Sequence, residues 1–253
     1  MIFHELTYEA IKDIDFSRTI VLIPTGATEQ HGPHLPTNTD TLIVGRLAER
    51  IERSLAEHIL LTPTIWLGHS PHHMSFGGTL SLPHSVYIQM LHAVCDSHVR
   101  MGAKKIWLLN GHGGNGAPHQ IVLQQLKNEY PDVIAVAADY WNLAREEIGS
   151  IRQSGTGGLG HACELETSLY LYLDETKVLR ERIRDDGVQP EGDIWLLDMQ
   201  RGNEVSRVFN FRELTKSGVF GRPSLATKDK GQQLFDGISA RLEQFALQLL
   251  QIQ

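Results

Sequence analysis

Four apolar runs, at 18–26, 59–68, 105–112 and 132–140, are rich in β-branched residues and bounded by turn formers. None alternates strictly between apolar and polar, the pattern of strands covered on both faces of a parallel sheet. Apolar residues recur at helical spacing over 39–58, 84–102, 117–130, 161–174 and 228–251. Strand and helix alternating at this interval predict βαβ units and an α/β fold around a mainly parallel sheet. The stretch 178–221 is polar and irregular, suited to a lid, a contact arm or a small subdomain. No repeat, low-complexity tract or linker interrupts the chain, so one domain spanning 1–253 is expected.

Composition narrows the function classes. The 253 residues carry 23 Lys+Arg against 30 Asp+Glu, a net charge of −7, which argues against a nucleic-acid partner. With 41% hydrophobic and 21% charged residues the chain is neither disordered nor membrane-embedded. No apolar run approaches the roughly 18 residues of a membrane span. Two cysteines are too few for a disulfide framework, and the N-terminal stretch lacks a signal peptide's basic start and apolar middle. A cytoplasmic protein is the expectation. Histidine changes the picture, with 13 in the chain and several beside glycines and acids.

Ligands of open parallel sheets bind outside the carboxyl ends of the strands, and three clusters fall there. In TGATEQHGPHLPTNTD (25–40), Glu29 and His31 lie two apart, on one side of an extended segment, and Asp40 opens a helix. Carboxylate with imidazole suits Zn²⁺, Mn²⁺ or Fe²⁺, and a carboxylate can bridge two ions. Alternatively, Thr39 or Asp40 caps the helix and Glu29 is solvated. NGHGGN (110–115) offers His112 between glycines that admit close backbone approach, or else a plain turn or a phosphate cradle. No Rossmann or Walker fingerprint supports the nucleotide alternative. GHSPHHMSFGGT (68–79) offers Ser70, His72 and His73 as substrate-side donors, or ordinary loop histidines. In GHACELETS (160–168), read as helical, Glu164 is three and Glu166 five residues after His161. Both acids are also compatible with a solvated helix face, and Cys163 with either packing or a nucleophile. Taken together, acids and imidazoles at three strand ends are most simply explained by two metals with a bridging carboxylate.

These stretches, with FGGTLSL (76–82) and GVFGRPSLATKDKG (218–231), make the chain resemble the creatininase family of metal-dependent amidohydrolases over essentially its whole length. The resemblance implies a three-layer αβα sandwich and a dinuclear centre of Zn, Mn or Fe. Glu29 and His112 would bind one ion, His31 the other, and Asp40 would bridge them. His161 matches the histidine that assists proton transfer, with Glu164 and Glu166 as further acids. A homo-oligomer, a hexamer or its dimer, is also implied. Departures bear on the substrate. Creatininase proper resembles NGHYEN where this chain has Gly113 and Gly114, so its substrate-contacting tyrosine and a metal-binding glutamate are missing. A tryptophan expected at 157 is glycine. Glu166 or water is then left to complete the second ion, Trp141 to line the pocket, and the two glycines to open it. The expected substrate is a small amide, cyclic or formamide, possessing a C–N bond other than an ordinary peptide bond. NGHGGN is also the form of relatives acting on formamidopyrimidines or in peptide maturation. A metal-binding protein with lapsed catalysis is the non-enzyme alternative.

Overall fold

A computed structural model describes residues 1–192, 194–202 and 205–252. The strands of the main sheet are β1 (Ile20–Thr25), β2 (Ile59–Leu61), β3 (Lys105–Asn110) and β4 (Ile134–Asp139), all parallel in the order β2-β1-β3-β4. Every residue of β1 and β3 is buried, which explains why neither run alternates in polarity.

Alternate side chains of the sheet enter two separate cores. Ile20, Leu22, Trp107 and Leu109 pack beneath α2 (Thr39–Ser54), α6 (Arg145–Ile151), α7 (Glu164–Asp174) and α9 (Lys228–Gln251). Val21, Ile23, Ile106 and Leu108 pack beneath α3 (His84–Arg100) and α4 (Gly116–Glu129). This is the α/β three-layer αβα sandwich the resemblance implied. Short helices α1 (Tyr8–Lys12), α5 (Tyr140–Leu143) and α8 (Phe211–Leu214) decorate it. Among the described residues no helix is long and apolar enough to cross a membrane.

Two elements differ from the sequence pattern. The run 59–68 is a strand only at Ile59–Leu61, because Pro63 has no N–H to continue the ladder; beyond it only isolated bridges remain, Thr25 with Ile65 and Gly68 with Ser81. The predicted helix at 161–174 begins only at Glu164. His161 instead ends a short strand, β5 (Leu159–His161), antiparallel to β6 (Phe220–Gly221). Ala162, at φ 51°, turns the chain between strand and helix. The segment 178–221 thus pairs with the site-bearing strand and carries α8 back over the strand ends.

Candidate metal centre

Four chain segments deliver acids and imidazoles to the carboxyl end of the sheet. The loop after β1 brings Glu29 and His31; the first turn of α2, Asp40; the turn after β3, His112; and β5 with the first turn of α7, His161 and Glu166. All six are buried. Asp40 does not cap its helix: the N-cap is Asn38, whose side chain makes no capping bond, and the Thr39 hydroxyl donates to Pro36 O. The Asp40 carboxylate lies between two imidazoles, Oδ1 3.0 Å from His31 Nε2 and Oδ2 3.1 Å from His112 Nδ1. Glu166 Oε1 is 3.7 Å from His31 Nε2, and Glu29 Oε1 is 3.3 Å from His112 Nδ1.

Hydrogen bonds on the far side of each ring decide which nitrogen faces inward. His31 Nδ1–H donates to Glu29 O (3.1 Å), and His112 Nε2–H donates to His69 O (3.1 Å). Each ring therefore presents its other nitrogen to the carboxylates, the arrangement by which outer partners orient metal-binding histidines. Glu29 Oε2, His31 Nε2 and Asp40 Oδ2 are buried with no hydrogen-bond partner. Orphaned polar atoms of this kind are uncommon in interiors, and an ion satisfies all three. Donor atoms lie within 4.8 Å of one another in three overlapping groups: His31, Asp40 and Glu166; Glu29, His72 and His112; Glu29, His31 and His161. The donor set of nitrogens and carboxylate oxygens suits Zn²⁺ or Mn²⁺.

Without a cation, protons balance the carboxylates. Burial would lower His112, yet Glu29 and Asp40 hold it up at about 10. Burial likewise opposes His31, which Asp40 and Glu166 raise well above the ordinary imidazole value. Burial would raise Asp40, but His31 and His112 hold it well below the carboxylate range. Glu29 is raised, by burial first and Asp40 second, against His112. An ion must therefore displace imidazole protons. Zinc affinity measured in chelator-buffered solution should rise with pH between about 6 and 8, by about tenfold per unit for each proton displaced. An affinity flat across that range contradicts it.

A cavity of about 270 Å³ opens over these groups. Gly113 and Trp141, expected to meet substrate, line it, as does His73. Two expected residues are elsewhere. Ser70 sits behind His112, its Oγ 3.0 Å from Nε2, because the ring stands between it and the cavity. Glu164 points away, its carboxylate taken by Lys230 Nζ (2.6 Å) and the N–H groups of Gln153 and Ser154. The two glycines also part company. A Cβ at Gly113 would meet nothing within 4 Å, so that side is open. A Cβ at Gly114, which also lines the cavity, would collide with His69 O and lie 2.5 Å from His112 Nε2, so close packing requires glycine there.

Sequence reasoning missed Gln30, Met199 and Phe211. Period-two alternation turned Gln30 away from Glu29 and His31, but the segment is irregular, and its amide reaches His73 Nδ1 at 2.8 Å. Phe211 lies tilted against the His73 ring, 3.9 Å between centroids, and with Met199 closes the cavity from the 178–221 segment, where no periodicity marked them.

The creatininase family profile, described as creatinine amidohydrolase, matches residues 4–246. The chain is 32% identical over 222 residues to the mycofactocin precursor peptide peptidase of Mycobacterium ulcerans (strain Agy99), covering 85% of this chain and 79% of that one. It is 26% identical over 265 residues to the 3-dehydro-scyllo-inosose hydrolase of Thermotoga maritima, covering 98% and 83%. The fold is similar to the solved structure "Creatininase Mn", with a TM-score of 0.82, 22% identity and 99% of each chain covered.

Proposed function

The chain belongs to the creatininase family of hydrolases, and on that premise we propose that it is a dinuclear-metal hydrolase opening an amide C–N bond. The observation that carries this reading is the set of orphaned buried atoms, Glu29 Oε2, His31 Nε2 and Asp40 Oδ2, with the histidine rings tied from behind. Glu29, Asp40 and His112 would hold one ion; His31, Asp40 and Glu166 would hold the other. Glu166 then stands in for the glutamate that close packing at Gly114 excludes. Such ions supply Lewis acidity, bringing the pKa of water from about 15.7 toward neutrality and polarising a carbonyl.

The chain's own groups do the rest. Burial and the neighbouring His31 hold His161 well below the ordinary imidazole value, so it is neutral and able to take a proton. Its Nε2–H donates to Gln30 O at 2.6 Å, which leaves Nδ1 free on the side of Glu29, 3.6 Å away. From there it passes a proton to the leaving nitrogen, a role worth about 10²–10⁴-fold in rate. Trp141, Met199 and Phe211 supply an apolar wall that excludes water, and among the described residues no Lys or Arg lines the cavity. This lining suits a neutral, planar amide group. Space beside Gly113 supports a second reading, an amide borne on a larger body such as a formamidopyrimidine or a peptide, and the relative named as a peptide peptidase favours the peptide. A homo-oligomer built from dimers belongs to the same proposal.

The test is to load the protein with Mn²⁺ or Zn²⁺, count ions per chain, and assay creatinine, formamides and short peptides. Two ions per chain and turnover of one amide class, lost on chelation and restored by metal, is the expected result. Two ions without turnover across the panel favours the lapsed-catalysis reading. Failure to hold metal overturns the dinuclear centre.

A further inference from the structure

Glu29 Oε1 faces three imidazole nitrogens: His112 Nδ1 at 3.3 Å, His73 Nε2 at 3.4 Å and His161 Nδ1 at 3.6 Å. His161 Nδ1 is a lone-pair nitrogen, because its proton lies on Nε2 toward the carbonyl behind it, and His112 Nδ1 would become one once a cation displaced its second proton. His73 is different. Its Nδ1 lies 2.8 Å from Gln30 Nε2, and the orientation of that amide follows from its surroundings. Gly32 N–H donates to Gln30 Oε1 (2.9 Å), and Gln30 Nε2–H donates to Gly218 O (3.1 Å). The second amide proton is left for His73, whose Nδ1 must accept. Gln30 Nε2 is also 3.1 Å from His161 Nε2, but that nitrogen already carries the proton it gives to Gln30 O. A ring that accepts at Nδ1 carries its proton on Nε2, and Glu29 Oε1 is the carboxylate oxygen 3.4 Å from that nitrogen.

We infer that Gln30 and His73 form a positioning relay. Gln30 locks His73 in its Nε2–H form, His73 donates to Glu29 Oε1, and Glu29 is left with Oε2, the buried oxygen without a partner, for the cation. The inference rests on the metal-centre reading above. It reassigns His73 from substrate contact to support of a ligand. It also accounts for a glycine in the 218–231 motif: at φ +88°, a Cβ on Gly218 would collide with Gln30 Oε1. Neither Gln30 nor His73 is a catalytic residue in this scheme, since each acts through Glu29.

Zinc affinity, read by chelator competition on the full-length protein, tests the relay. Gln30→Glu keeps the side chain's shape but offers an acceptor in place of the donor, which turns His73 to its Nδ1–H form and withdraws the proton from Glu29. His73→Phe keeps a ring but no donor. Each should weaken zinc binding by about 10–100-fold, the usual effect of losing a ligand's outer partner. His73→Gln, whose amide can donate at the position of Nε2, should restore most of the affinity lost in His73→Phe. In the His73→Gln background, Gln30→Glu should cost no more than about threefold, because its effect runs through the ring. Should His73→Phe fail to fold, the Gln30→Glu comparison in the two backgrounds still decides. Gln30→Glu within about twofold of the parent, or an equal loss in both backgrounds, overturns the relay while leaving the metal centre standing. A parent that takes up no zinc overturns both.

Discussion

Asp40→Ala should leave the protein folded but holding less than one ion per chain, with hydrolysis lost by more than about 10²-fold. The size follows from position. Removal of an outer partner of a ligand weakens a site by about 10–100-fold, and Asp40 would face both halves of the proposed centre, 3.0 Å from His31 and 3.1 Å from His112. Among the described residues no other carboxylate pairs with both His31 and His112. Asp40→Asn, with the same shape and one neutral oxygen, should fall between the parent and the alanine variant. Folding should survive, because Asp40 is one of the carboxylates that favour protonated His31 and His112 in the metal-free protein, beside Glu166 for His31 and Glu29 for His112. With that charge gone, both revert toward neutral imidazoles, which remain tied to Glu29 O and His69 O. Metal counted after gel filtration, beside turnover of the amide class found for the parent, checks the outcome. Two retained ions and activity within about tenfold would remove Asp40 from the centre.

What could be read in the sequence is what local burial imposes. β1 and β3 lie in the middle of the sheet with both faces covered, so their apolar runs are long and unambiguous, and the clusters that follow them are necessarily at the ligand-binding edge. Glu29, His31, Asp40 and His112 could be placed together on that ground alone. His161 could be placed near them, but not on its element. The helical pattern of α7 runs backward through it, and no proline or glycine stands between 161 and 164 to stop the helix. What stops it is β6, some 60 residues later, pairing with Leu159 and His161. Choosing between Glu164 and Glu166 required the phase of the first helical turn. Glu166 is set by a bond from Cys163 N to its Oε2 (3.3 Å), which leaves Oε1 toward His31. Phe211 and Met199 arrive from a segment whose place depends wholly on tertiary contacts, and Gln30 from a loop whose irregularity breaks the alternation expected of it.

That division between the two acids yields the second large effect. Glu164→Ala should lower the melting temperature by about 6–12 °C while ion content and turnover per folded molecule stay at the parent's level. Glu164 is buried and its carboxylate gathers three donors: Lys230 Nζ at 2.6 Å, Ser154 N at 2.7 Å and Gln153 N at 3.0 Å. Lys230 also reaches Leu225 O and Gln153 Oε1, so the pair fastens the starts of α7 and α9 to the 153–154 turn. Removing the carboxylate takes the counter-charge from a largely buried ammonium and the acceptor from two N–H groups, and breaking such a pair from one side costs about 3–5 kcal/mol. At about 2–4 °C per kcal/mol for a domain of this size, the lower end of that cost gives the stated shift. The pH dependence has a definite sign. Burial raises the Glu164 carboxyl, but the Lys230 bond and the two backbone donors outweigh it and hold the group below the ordinary glutamate value. Its stabilisation is therefore fully present above the unfolded-state value and is lost as pH falls through the folded one. The gap in melting temperature between parent and Glu164→Ala should accordingly narrow on acidification and hold constant near neutrality. Loss of turnover at an unchanged melting temperature would instead return Glu164 to the chemistry.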